Sequence, residues 1–173
     1  MQNMKNKNIK IIRSTRRKKT ISARVVGNEI HVYLPASLPQ SDEEKYVNEM
    51  IGKLEKRKRR QELNKDGGYL AKRAKEINKK FFNGKLNFAS INYVTNQTSK
   101  FGSCSCKKAT IRISDKIAEM PSWVIDYVII HELAHLIEPN HSKNFWDIVN
   151  RYKYAERARG YLIAKSMEDD GVD

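Results

Sequence analysis

Cysteine is scarce in this chain: of 173 residues only Cys104 and Cys106 carry thiols, and a single residue separates them. Two thiols so close do not easily bridge each other and are too few for a disulfide scaffold, which points to an ordinary hydrophobic core and a reducing compartment. Long apolar runs are missing as well. No stretch approaches the roughly 18 apolar residues that cross a bilayer, which excludes a membrane-spanning protein and gives no membrane partner. The start, Met1 to Lys10, is polar and basic and lacks the apolar segment of a secretory signal, so the expected location is cytoplasmic. There is no internal repeat, no low-complexity linker and no glycine-rich phosphate loop of the P-loop type.

Acidic residues are scarce in one half alone. Residues 1–90 hold 23 Lys/Arg against 9 Asp/Glu, whereas residues 91–173 hold 11 of each, so the whole net charge of +14 is N-terminal. A basic half joined to a neutral half suggests a docking surface for phosphate-rich partners beside a region with another task. The densest runs are Arg16, Arg17, Lys18 and Lys19, and then Lys56, Arg57, Lys58, Arg59 and Arg60. These nine cations are the candidate contacts for nucleic acid or a nucleotide's phosphates.

Hydrophobic periodicity organises the rest. Ile21, Ala23 and Val25 alternate, as do Ile30, Val32 and Leu34, and Gly27-Asn28 between them suits a tight hairpin turn; Ile9, Ile11 and Ile12 add a strand. Ser41 and Glu44 read as a capping box ahead of a helix marked by Tyr46, Val47, Met50, Ile51 and Leu54, ending before Gly67-Gly68. Leu70, Ala74, Ile77 and Phe81 predict a second helix that stops at Asn83-Gly84. Three short strands follow near 88–95, 100–106 and 109–113. Pro121 opens a helix that is apolar nearly all round, hence buried, and that Pro139 stops. A last helix begins near Asn140 to Ser142, with Phe145, Ile148, Val149 and Tyr152 at core spacing.

The chemistry concentrates in HELAHLIEPNH, which holds three of the chain's four histidines, His131, His135 and His141. On a helix, positions four apart lie about 40° round and about 6 Å along the axis, so His131 and His135 can converge on one ion. Glu132, about 100° round, can reach water on that ion without binding it. Two histidines and a glutamate in so apolar a helix would be costly without a partner, and a metal supplies one. Both Glu138 and His141 are placed to be the third ligand. His141 is chosen, because the chain can fold back after Pro139-Asn140 and neutral imidazole is a good zinc ligand. Its spacing equals that of the HExxHxxGxxH enzymes, with Glu138 where they have a turn glycine.

The segments KFGSCSCKKATIRIS and PSWVIDYVIIHELAHLIEPNHSKNFWDIV resemble the YgjP-like metallopeptidase-domain proteins, relatives of the SprT-like and Wss1-like zincins. The resemblance is close from Lys100 to Tyr152 and looser over Arg16 to Leu34. It implies one zinc ion per chain held by His131, His135 and His141, with Glu132 as catalytic acid/base, and it implies that Cys104 does not bind the zinc. The family usually has Trp-Gly-Ser-Cys where this chain has Phe101-Gly102-Ser103-Cys104, and Cys106 is an addition. The expected fold is an α+β minimal zincin: a helix, a three-strand antiparallel sheet, the HExxH helix and a C-terminal helix over 67–173, preceded by a basic β-hairpin and helix unit over 1–66.

Three ligands leave a fourth position for water, whose proton Glu132 removes before attack on a peptide bond of a peptide or protein substrate. Tyr152, Tyr154, Arg157 and Lys100 are candidates for a second oxyanion donor. Two alternatives keep the metal. In one the electrophile is phosphorus and the enzyme is a nucleotide pyrophosphatase of the UTP type, as some relatives are described; in the other the basic half holds nucleic acid while the neutral half cuts bound protein, as in SprT-like proteases.

Overall fold

The computed structural model describes residues 7–65 and 68–169. It divides into two compact units, Met1–Arg59 and Arg60–Asp173, with the division inside a helix.

In the first unit the hairpin forms as its alternation predicts: β2 (Ser22–Val26) runs antiparallel to β3 (Glu29–Pro35), and Gly27 takes the left-handed φ of +58° that the turn demands. The isoleucines before it do make a strand. β1 (Asn8–Ser14) pairs parallel to β3, giving the order β1-β3-β2. Helix α1 (Gln40–Leu63) covers one face, where Ile30, Val32 and Leu34 meet Val47 and Met50. The helix already runs at Gln40, so Ser41 lies inside its first turn and is not a cap. Pro39, which has no N–H to satisfy, precedes the first turn, and its carbonyl accepts from Asp42 N.

The second unit opens with α2 (Tyr69–Phe81), which ends as expected with Asn83 and Gly84 both at positive φ. The strands β4 (Ser90–Val94), β5 (Gly102–Ser105) and β6 (Thr110–Ser114) lie where the pattern puts them, but their sheet is mixed and not antiparallel. β6 inserts between the other two, parallel to β4 and antiparallel to β5. The cause is the segment 95–101, which carries the chain past the end of β6 before β5 begins. It is stitched down by Arg112 Nη2 to Asn96 Oδ1 at 2.6 Å, Gln97 Nε2 to Ser103 Oγ at 2.6 Å and Lys116 Nζ to the Thr98 carbonyl at 3.1 Å. β5 is therefore an edge strand. The other edge, β4, is capped by a side chain: Asn64 accepts from Tyr93 N at 2.9 Å and donates to its carbonyl at 3.0 Å, as a neighbouring strand would.

α3 (Ser122–Ala134) is the buried helix, enclosed from Val124 through Ile130. It also buries Asp126, which Arg73 of α2 clasps with two bonds of 2.6 Å, from Nε to Oδ1 and from Nη2 to Oδ2. After α3 the single closing helix of the sequence pattern is in fact two, α4 (Lys143–Val149) and α5 (Ala155–Asp169). The chain breaks because Tyr152 turns inward to donate its hydroxyl to the Trp123 carbonyl at 3.1 Å, and Ala155, Ala158 and Leu162 then bury a new stripe. No helix among the described residues is long and apolar enough to cross a membrane.

Removing the Arg73 clasp leaves a carboxylate in the core without its counter-charge. Arg73→Met should lower unfolding stability by about 3 kcal/mol in urea titrations, while Arg73→Met with Asp126→Leu should recover most of that loss.

Candidate metal centre

The last turn of α3 sets the first two candidate ligands. His131 lies within the helix, and His135, at its C-terminal boundary, keeps helical backbone angles (φ −62°, ψ −19°), so the i, i+4 relation survives where the helix ends. The reversal that a turn glycine would make is made instead by tightening. Leu136 N and Ile137 N bond three residues back, to the carbonyls of Leu133 and Ala134 at 3.1 and 3.0 Å. Asn140 and Ser142 then reset the chain, with Ser142 Oγ accepting from Phe145 N at 3.3 Å to start α4. His141 is thereby folded back over α3.

The three imidazoles meet. One ligand atom from each of His131, His135 and His141 lies within 4.8 Å of the others, and the Nε2 atoms of His131 and His141 are 3.0 Å apart. His135 Nδ1 lies 3.3 Å from the Glu138 carbonyl. Donation there fixes the tautomer and leaves the Nε2 lone pair for an ion. Glu138 thus serves through its backbone, and among the described residues the cluster able to hold a metal consists of these three histidines. Phe145, fully buried, forms the wall behind them: its ring stacks on His135 at 4.5 Å and meets His131 and His141 edge-on at 4.8 and 4.7 Å. Trp146 stacks on His141 at 5.4 Å.

Electrostatics suit a cation. Burial, reinforced by the two neighbouring rings, pushes His131 down to about 3, so it stays neutral and able to ligate. His135 is lowered too, chiefly by burial. Glu132 is 5% exposed, and burial raises it to about 8, with Lys100 pulling the other way. Its Oε2 is enclosed and has no hydrogen-bond partner, as is His131 Nδ1. An orphaned carboxylate oxygen beside three converging imidazole nitrogens is an arrangement that lacks one positive group.

Glu132 is held by a residue that periodicity did not single out. β5 crosses so closely that a Cβ on Gly102 would stand 2.5 Å from Glu132 Oε1 and 2.8 Å from its Cγ. No side chain fits there. The FGSC segment carries the signal, since its glycine falls inside the strand expected over 100–106, where glycine often marks close approach of another group.

The cleft over the histidines encloses about 650 Å³ and is lined by β5, α3 and α5. Of the four proposed donors, Lys100 lines it. Tyr152 is spent on the Trp123 carbonyl, Tyr154 packs against Trp123 and Tyr152, and Arg157 stacks on Trp123 at 4.7 Å. Arg159, on the helix that the sequence pattern missed, lines the cleft as well, braced by Glu156, Asn150 and the Trp146 ring. Cys104 and Cys106 also line it. Cys104 lies in β5, whereas Cys106 opens a 3-10 turn and bonds the His135 carbonyl at 3.2 Å. Burial, followed by its thiol neighbour, pushes Cys104 up to about 12, away from a thiolate nucleophile. Of the cationic runs, Arg16 to Lys19 falls between β1 and β2 and Lys56 to Arg60 along α1.

None of the curated proteins compared matches the chain significantly. Among solved structures, the chain is similar to the metallopeptidase zymogen of abylysin from Pyrococcus abyssi, at 24% identity and a TM-score of 0.45, over 56% of this chain and 90% of that one. The model of the YgjP-like metallopeptidase domain matches residues 68–159, which include the histidines, Glu132 and Gly102. With more than half of its length so matched, the chain belongs to the YgjP-like metallopeptidase-domain family.

Proposed function

We propose that the protein is a zinc-dependent peptidase in which His131, His135 and His141 hold the ion and Glu132 moves the proton. The observation that carries this reading is the juxtaposition of three imidazole nitrogen donors within 4.8 Å with an enclosed, partnerless carboxylate oxygen. The donor set fits zinc. Two nitrogens on a tetrahedral zinc lie about 3.4 Å apart, close to the 3.0 Å between His131 and His141 Nε2, and three protein ligands are the number found in catalytic zinc sites. When bound, zinc supplies Lewis acidity that brings water toward ionisation at neutral pH and offsets charge developing on the substrate carbonyl.

The remaining work falls to the chain itself. A peptide lies along the unpaired edge of β5, its main chain bonded to that strand and its carbonyl turned to the cleft. Glu132, kept from bulk water by burial, takes a proton from the attacking water and delivers it to the departing amine. The contact with Gly102 fixes where the carboxylate sits, so it needs no reorganisation at the moment of transfer. Phe145 and Trp146 exclude water from behind the imidazoles and hold their planes.

Purified protein should contain about one zinc per chain by elemental analysis, and His141→Ala should lose it. Glu132→Gln should keep the metal while peptide cleavage falls about 10²- to 10⁴-fold; cleavage at the original rate would remove Glu132 from the chemistry. Gly102→Ala should also keep the metal but lower kcat more than it raises KM, because it displaces the carboxylate and not the ion. An unchanged kcat would show that the close approach is without consequence.

A further inference from the structure

The sheet of the first unit has a second face. Residues paired in register share a side, so Ile9 and Ile11 go with Ile30 and Val32 on the side that α1 partly covers, while Lys10 and Ile12 flank His31 and Tyr33 on the opposite side, and Arg24 flanks His31 from β2. On that side Arg17, from the β1–β2 loop, and Arg24 bring their guanidinium carbons to 5.1 and 5.0 Å from the Tyr33 ring centroid. The result is an aromatic ring ringed by cations.

The charge there is mostly positive, Glu29, two residues before His31 on the same strand, being the carboxylate on that side. From Lys7 to Asn28 the chain has eight Lys/Arg and no Asp/Glu. Arg13, which shares a side with Leu34 and α1, is neutralised by Glu43 at 2.5 Å. Among the described residues no carboxylate pairs with Lys10, Arg17 or Arg24 or with the loop cations Arg16, Lys18 and Lys19, and Glu29 is taken by His31 at 2.8 Å. By contrast, Lys58 and Arg59 of the α1 run are engaged by neighbouring groups. Gathering unpaired like charges on one face costs free energy that a bound polyanion removes.

We propose that this face binds single-stranded nucleic acid, with Lys10, Arg17 and Arg24 on phosphates and the Tyr33–arginine stack as a platform for bases. A sheet face carrying an aromatic and guanidinium planes suits unpaired bases, which stack on it; a duplex hides those ring faces. The proposal is independent of the metal centre, and neither stands or falls with the other.

The test is fluorescence anisotropy of the full chain with a labelled oligo(dT) of about 12 nucleotides and a duplex of the same length. Binding to the single strand should be the tighter, and its log K against log salt should fall with a slope of about −2, the value for three phosphates on a single strand. Arg17→Glu with Arg24→Glu should weaken binding at least about tenfold, and Tyr33→Leu severalfold with the slope unchanged. Lys56→Glu with Arg57→Glu on α1 should change it far less. Absence of binding, a flat salt response, tighter binding of the duplex or an equal loss in the α1 variant would overturn the proposal. If circular dichroism shows the charge-reversed variant unfolded, amide shift mapping of the unmutated chain with oligo(dT) decides: shifts at Lys10, Arg24, His31 and Tyr33 support the face, and shifts confined elsewhere refute it.

Discussion

The second unit is organised around one close contact, that of a glutamate carboxylate with a glycine backbone. Glu132 belongs to the most enclosed helix of the unit and Gly102 to the edge strand laid over it, and the space between them admits no Cβ. That contact ties the depth of α3 to the path of β5. It also explains why the crossing segment 95–101 is so heavily hydrogen-bonded. If β5 could drift outward by an ångström, Glu132 would gain water and lose the low-polarity surroundings that raise its pKa.

A helix as apolar as α3 would ordinarily tolerate no charge. It carries two carboxylates, and the unit treats them in opposite ways. Asp126 is satisfied completely, by an arginine whose paired carboxylates raise its own pKa further. Glu132 keeps an oxygen with no partner. The first arrangement is structural, since a bidentate pair fixes α2 against α3. The second leaves a polar group in a costly state that the surrounding packing maintains, which is the usual signature of a site awaiting a reactant.

How far this was legible in the sequence follows from the range of each signal. The histidines were readable because i, i+4 spacing on a helix is local geometry, and a proline five residues past the helix end announces the reversal that returns His141. The hairpin at Gly27-Asn28 and the end of α2 at Asn83-Gly84 were readable for the same reason: each depends on the backbone freedom of one or two residues. The mixed sheet was not. Whether β6 pairs beside β5 alone or slips between β5 and β4 goes with the bonds of the 95–101 segment, from the Asn96 and Gln97 side chains to Arg112 and Ser103 and from the Thr98 carbonyl to Lys116, contacts with no periodicity. The split between α4 and α5 was hidden likewise, because Tyr152 sits at helical core spacing and yet leaves the helix to bond Trp123. Arg159 is hidden with the helix that carries it. Gly102 has a signal, a glycine inside the strand expected over 100–106, but its reason lies thirty residues away.

The N-terminal sheet shows how one distribution of charge can serve two ends. β1 is an edge strand with Ile9 and Ile11 exposed, and an edge of that kind invites pairing with another copy. Lys10 and Arg13 lie on that same strand, and Arg16 to Lys19 follow directly. Two copies approaching edge to edge would bring these cations together, so self-association is opposed by repulsion that falls only as salt rises. The same cations leave the outer face attractive to polyanions. A mixed-sign surface would also have been soluble, but it would have paired its charges internally, as Arg13 does with Glu43. Excluding carboxylates from residues 7–28 keeps the edge guarded and the face unneutralised at once, and that follows from composition before any fold is known.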